Sequence, residues 1–142
     1  MNEPPHTSES RFRVRYAETD QMGVVYYANY LVWMEVGRTD FCKTLGFDYR
    51  EMESEGAFMA VAEASCRYIA PARYDNVILV QTRLERLNRK LVSFTYEILN
   101  GETGQRLAEG RTVHITMGTD QKARPLPTRY LELLSKAAAD SK

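Results

Sequence analysis

The stretch Tyr16–Tyr30, YAETDQMGVVYYANY, sets the reading of this chain. An extended segment closes on Glu18, Thr19 and Asp20. Gln21, Met22 and Gly23 then form a turn, because glycine tolerates the positive φ that a sharp reversal needs. Val24 to Tyr27 are apolar and lead into a helical pattern that Asn29 or a neighbour can cap. Asp20 is thereby delivered, through a tight loop, to the N-terminal end of a helix. The first amides of a helix have no internal partners, and the macrodipole adds positive potential there. Such an end can hold a developing oxyanion. By composition alone an Asp at this place serves as a cap or turn residue, and that reading stands beside the chemical one.

Upstream, Arg11 to Ala17 alternates Phe12, Val14 and Tyr16 with arginines, a period of two that predicts a strand. Residues 1 to 10 are polar with two prolines and read as a mobile tail, as do 140 to 142. Downstream, a helix is predicted from about Ala28 to Leu45. Tyr30, Trp33, Met34, Gly37, Phe41 and Leu45 form its stripe, and Leu31, Val36 and Cys42 widen it until the helix reads as largely enclosed. Glu35 and Arg38 sit at pairing distance on that helix. Gly46 ends it, and Asp48-Tyr49-Arg50-Glu51 resembles the capping box of a short second helix. Strands follow over Ala57–Ala70, Asn76–Leu87, Leu91–Leu99 and Arg106–Met117, with a hairpin turn at Asn100–Gly104. A loop over Gly118–Pro127 leads to a last helix, Thr128–Ala139.

One strand, a long helix, then four strands in succession predict a single α+β domain with a mostly antiparallel five-stranded sheet wrapped around the helix. At 142 residues the chain suits one domain with its own core. Its 19 basic and 19 acidic residues cancel, so no global field steers it to nucleic acid or an anionic membrane. Cys42 and Cys66 read as free thiols, and two scattered histidines add no zinc spacing. No apolar run is long enough to span a bilayer, the polar start is no signal peptide, and cytoplasmic residence is expected.

The run Tyr16-x-Glu18-Thr19-Asp20-x-x-Gly23-Val24-Val25-Tyr26-Tyr27-x-x-Tyr30 resembles the signature of hotdog-fold acyl-CoA thioesterases of the 4-hydroxybenzoyl-CoA thioesterase type. The likeness continues through Trp33, Arg38, Phe41, Leu45 and Gly46. It resumes at Arg67-Tyr68-x-x-Pro71-Ala72-Arg73-Tyr74-Asp75 and covers roughly residues 11 to 130. The resemblance implies the hotdog fold, which the pattern of elements reaches independently. It implies Asp20 as the catalytic carboxylate and the backbone N–H of Tyr27 as donor to the thioester oxygen. One branch of the family has histidine at position 27, so a side-chain role for this tyrosine does not follow.

The resemblance also implies substrate contacts at Gly23, Val24 and Tyr30. Tyr27, Tyr30 and Trp33 read equally well as acyl-pocket lining or as core. Arg89 and Lys90, with Arg86 close by, match the family's basic loop for the nucleotide end of coenzyme A, with Lys122 and Arg124 as further candidates. Glu63 is a second carboxylate, read as solvated or paired. No cofactor and no metal are implied. The expected activity is hydrolysis of an acyl-CoA to a carboxylic acid and CoA. A thioesterase acting on acyl carrier protein and a non-catalytic acyl-CoA-binding module are the alternatives. The expected assembly is a homodimer or homotetramer joined at sheet edges, which would also cover the last strand.

Overall fold

The structure, a computed structural model, describes residues 6–138. The elements run β1 (Thr7–Arg13), a 3-10 turn (Tyr16–Glu18), α1 (Asn29–Thr44), α2 (Tyr49–Ser54), β2 (Phe58–Tyr68), β3 (Val77–Leu87), β4 (Leu91–Asn100), β5 (Arg106–Met117) and α3 (Thr128–Ala138). The five strands form one sheet in the order β1-β3-β4-β5-β2. Every neighbouring pair is antiparallel. This is the hotdog fold, with α1 lying along the sheet.

The sheet's core face follows the alternation of each strand. Ile78, Val80, Thr82 and Leu84 of β3 and Val92, Phe94, Tyr96 and Ile98 of β4 are buried on it. From α1, Tyr30, Trp33, Met34, Phe41 and Cys42 meet them. Phe41 packs edge-to-face on Phe94 with ring centres 5.5 Å apart. Gly37 lets the helix approach: a Cβ there would lie 2.9 Å from Val80 Cγ1 and closer still to Thr82 Oγ1. Gly46, at φ +102°, turns the chain out of α1. The Asp48 carboxylate accepts the Glu51 N–H at 2.7 Å and caps α2. Tyr130 of α3 is buried against Phe47 and donates to Glu55 at 2.8 Å.

Four expectations change. The first strand begins at Thr7 and ends at Arg13, because Thr7 to Ser10 pair with Arg83 to Val80. Ladder hydrogen bonds and the burial of Ser8 and Ser10 outweigh the polar composition. Of the expected tails, residues 1–5 and 140–142 lie outside the described residues, as does residue 139, expected to end the last helix. Tyr16 leaves the strand and is 76% exposed. The helix α1 is enclosed on one face only, since Leu31, Val32 and Val36 are exposed on the other. The last strand is no edge: β5 lies between β4 and β2, and the open edge on that side is β2.

Candidate active site

The Asp20 loop meets the connection between β2 and β3 at one end of the sheet. Arg13 of β1 pairs with Val77 at the start of β3, and Tyr68 at the end of β2 pairs with Ala108 near the start of β5. The Asp20 loop and the N-terminus of α1 therefore share an end with the 69–76 connection. Backbone bonds tie the loop internally and to that connection. Asp20 N–H donates to Val24 O at 2.8 Å, Gly23 N–H to Asp20 O at 3.0 Å, and Val25 N–H to Ala72 O at 2.8 Å. Gly23 takes φ +81°, as its turn requires. Val24 bridges to Arg73 and is half-buried.

The two acidic side chains of the loop divide the work. Glu18 is buried. Its Oε1 accepts the Arg15 N–H at 2.8 Å and its Oε2 accepts the indole N–H of Trp33 at 2.9 Å. Its carbonyl takes Tyr26 N–H at 2.8 Å and the Asn29 side-chain amide at 2.9 Å. Asn29 thus ties loop to helix and does not cap α1, whose N-cap is Ala28 with no side-chain bond. Asp20 is half-exposed. Its Oδ1 accepts Met22 N–H at 2.8 Å and, more weakly, Val24 N–H at 3.4 Å. Among the described residues Oδ2 has no donor. Asp20 lines an open cleft with Tyr16, Thr19, Tyr26 and Asn29.

The first turn of α1 closes tightly. Asn29, Tyr30 and Leu31 donate to Tyr26, Tyr27 and Ala28 respectively. Among the described residues the N–H groups of Tyr27 and Ala28 have no acceptor. The free donors thus sit just ahead of α1. Tyr68 donates to Tyr27 O at 2.8 Å. Burial and the neighbouring Cys66 push the Tyr68 phenol up to about 12, so it stays a donor. Tyr30 is buried between Trp33 and Tyr68, with ring centres 4.8 and 4.9 Å away. Its hydroxyl accepts Ala72 N–H at 3.2 Å. Tyr30 and Trp33 are thus core residues that fix the loop, while Tyr26 and Tyr27 are exposed beside it.

Comparison with known proteins bears on this arrangement. The thioesterase-like superfamily model matches residues 14–136, a span holding both the Asp20 loop and the sheet. The chain belongs to the thioesterase-like superfamily. It is a thioester hydrolase by that membership. A putative acyl-CoA thioesterase, YneP of Bacillus subtilis, is 47% identical over 95 residues, covering 67% of this chain and 69% of the relative. A DHNA-CoA thioesterase from Staphylococcus aureus is 33% identical with a TM-score of 0.85, covering 95% of this chain and 90% of the other. A hypothetical protein of Thermus thermophilus, TT1821, is 38% identical with a TM-score of 0.87, covering 92% and 98%.

The other residues singled out for this thioesterase fall elsewhere. Glu63 pairs with Val113, which puts it on the sheet face turned away from α1, in solvent. Glu35 pairs with Arg38 at 3.9 Å. Arg89 and Lys90 are exposed on the β3–β4 hairpin. That hairpin lies at the opposite end of the sheet from Asp20, since β3 runs 11 residues from Val77 to Leu87, roughly 33 Å at strand rise. Lys122 and Arg124 lie next to the hairpin. Buried Thr116 joins the two loops, its N–H donating to Lys90 O at 3.0 Å while its carbonyl accepts Arg124 N–H at 3.0 Å. Arg124 is also paired with Asp120.

Both cysteines are free thiols, and burial pushes Cys42 up to about 12. Among the described residues no group of three or more His, Cys, Asp or Glu side chains converges as a metal-ligand set. No helix among them is long and apolar enough to cross a membrane. The anchoring role of Glu18 and the free Ala28 N–H went unread in the sequence. An acid two residues before the candidate catalytic one, and 15 before the only tryptophan, was the available signal for Glu18.

Proposed function

We propose that the protein hydrolyses acyl-CoA thioesters, with Asp20 as base or nucleophile and the Tyr27 N–H, assisted by that of Ala28, as oxyanion donors. The observation that carries this reading is the division within the loop: Glu18 is consumed in holding the fold, while Asp20 keeps one oxygen open in a cleft bounded by the start of α1. As base, Asp20 takes a proton from water as its oxygen bonds to the thioester carbonyl carbon. The carbonyl oxygen gains the charge, which the free amides stabilise. The C–S bond then breaks, the CoA thiolate leaves and takes up the proton, and the carboxylic acid remains. As nucleophile, Asp20 displaces the CoA thiolate from the carbonyl carbon to form a mixed anhydride, which water opens to release the carboxylic acid and return the Asp20 carboxylate, the proton of water passing to the thiolate.

The active unit in this reading is a dimer joined at the β2 edges. β2 is an 11-residue strand, solvent-exposed through Val61–Ser65, with an unpaired side and no proline. Such an edge invites pairing with a second copy. A two-fold axis through the middle of β2 runs the two strands antiparallel. The partner's β3–β4 hairpin then comes to the Asp20 end of this chain. Arg89 and Lys90, joined by Arg86, Lys122 and Arg124, supply cations for the CoA phosphates of the partner subunit's site. This removes the difficulty that one chain holds the basic loop and the carboxylate at opposite ends.

A panel of short, long and aromatic acyl-CoAs, followed by release of free thiol, tests the activity. Hydrolysis of at least one member well above the rate without enzyme is expected. Tight binding with no thiol released would overturn the assignment in favour of a binding module.

A further inference from the structure

Arg38 is a buried cation in the middle of α1, with 8% of its surface exposed. Its one ion pair among the described residues is with Glu35, a side chain 65% exposed. Among the described residues no buried carboxylate pairs with it. Its other neighbours are neutral: the Tyr96 hydroxyl, bonded to Thr112 Oγ1 at 2.6 Å, the phenol of Tyr49, and Cys42. Behind them His114 bonds Thr112 at 2.9 Å, and burial with the charge of Arg38 pulls its imidazole down to about 4. The Tyr49 hydroxyl is buried beside the guanidinium and the Cys42 thiol, and neither meets it with the geometry of a hydrogen bond.

Arg38 and Tyr49 open into a cleft of about 590 Å³ between α1, α2 and β2, lined also by Thr39, Met59 and Val61. Lys43, Arg50, Glu35, Asp48 and Glu53 are the other charged residues around it, and the Asp48 carboxylate is taken up by the Glu51 N–H. A guanidinium offers only donors, and a neutral phenol offers one more. A buried phenol without a geometric hydrogen bond, beside a buried guanidinium whose counter-charge, Glu35, is 3.9 Å away on an exposed side chain, favours an acceptor that is also anionic. A hydroxyl on the ligand would fill the hydrogen bond and leave the guanidinium with the exposed Glu35 alone. A carboxylate answers both.

The cleft's place relative to chemistry follows from the fold. Arg38 lies nine positions beyond Asn29, about 13 Å along α1 at helical rise, away from this chain's own Asp20 loop. Under the edge-joined dimer, antiparallel β2 strands set the partner subunit's Tyr68 beside Met59 and Val61. The partner subunit's Tyr27, held by that tyrosine, and the partner subunit's Asp20 then arrive at the mouth of the cleft.

We propose that this cleft receives the acyl chain of the thioester cleaved at the partner subunit's Asp20, and that Arg38 and Tyr49 select acyl groups ending in a carboxylate. The inference rests on the thioesterase and edge-joined dimer readings and adds the substrate class to them.

Its test is kcat/KM on a ladder of dicarboxylic half-thioesters of CoA, four to ten carbons long, against monocarboxylic acyl-CoAs of equal length. The wild type prefers the dicarboxylic member at one or more lengths by at least about tenfold, the scale of one charge-assisted hydrogen bond. Arg38→Met cuts that preference ratio at least about tenfold, Tyr49→Phe cuts it several-fold, and Arg38→Lys restores part of it. Melting curves identify a variant that is unfolded, and Tyr49→Phe, which keeps every charge, then carries the test. Mixing Asp20→Asn with Arg38→Met subunits rebuilds one intact site per mixed dimer, so dicarboxylic activity returns on mixing. Hydrolysis with no carboxylate preference at any length, or equal losses on both ladders in Arg38→Met, overturns the inference and leaves the thioesterase reading standing. No hydrolysis of any acyl-CoA overturns that reading and this inference with it.

Discussion

Replacing Glu18 by Gln keeps length and volume and removes one acceptor and the charge. In the structure the carboxylate takes two N–H donors, from Arg15 at 2.8 Å and from the Trp33 indole at 2.9 Å. Gln has one oxygen for them, so one donor meets an amide NH2. Hydrogen bonds to a charged group are worth roughly 1.5–3 kcal/mol, and an unsatisfied buried donor costs roughly 1–3 kcal/mol. The ion pair with Arg15, at 3.6 Å on a side chain 75% exposed, adds little. The loss is therefore about 3 kcal/mol. For a chain of this size that is a fall in Tm of about 6–12 °C. Urea and thermal unfolding read by intrinsic fluorescence suit the question, because Trp33 is the only tryptophan and its indole is one of the two donors. A fall in Tm below about 2 °C would refute the view that Glu18 anchors the loop.

Stability should also fall as pH drops from about 6.5 to 4. His114 is held neutral in the folded chain with its pKa at about 4, while the unfolded chain takes up the proton near its ordinary value of about 6.5. The contribution is present above pH 6.5 and lost on the way down, about 3 kcal/mol in all; urea midpoints across this range check it, and His114→Gln should flatten the slope. Replacing Arg89 and Lys90 together by Ala should mainly raise KM, about tenfold or more, and lessen the salt dependence; equal losses on acyl-CoA and on a truncated acyl-pantetheine would assign those residues a structural role. Light scattering over a dilution series should show a dimer or larger species, and a fully active monomer would rule out the shared site.

Local periodicity and punctuation were legible in the sequence. The alternation of β4 and β5, the Gly46 helix end and the Asp48 cap all appear where their residues indicate. The Asp20 turn was legible too, because positive φ at Gly23 is a local demand. What was not legible depends on partners distant along the chain. Thr7–Ser10 looks like a tail until β3, seventy or more residues on, supplies its ladder. The expectation of an exposed last strand failed because strand order is set by long-range pairing, and β2 crosses over to the far side of β5. The apolar surround of α1 was read as enclosure, yet Leu31, Val32 and Val36 face outward from this chain. Glu18 and Asp20 are chemically alike in the sequence; only the burial of one against Trp33 separates anchor from candidate catalyst. Arg86, Arg89 and Lys90 cluster in the sequence, but that Lys122 and Arg124 lie beside them shows only where Thr116 joins the two loops.

Asp20→Asn separates an Asp20 that performs the hydrolysis from one that only shapes its turn. The amide keeps an oxygen for Met22 and Val24, the partners of Oδ1 at 2.8 and 3.4 Å, and Asn serves nearly as well as Asp in caps and turns. Single-turnover hydrolysis of an acyl-CoA that the wild type cleaves, measured beside a melting curve on the same preparation, separates chemistry from folding. A catalytic Asp20 gives a fall in the rate of at least about 10²–10⁴-fold with substrate affinity little changed and a Tm close to wild type. Near-normal turnover in a folded Asp20→Asn protein would contradict it.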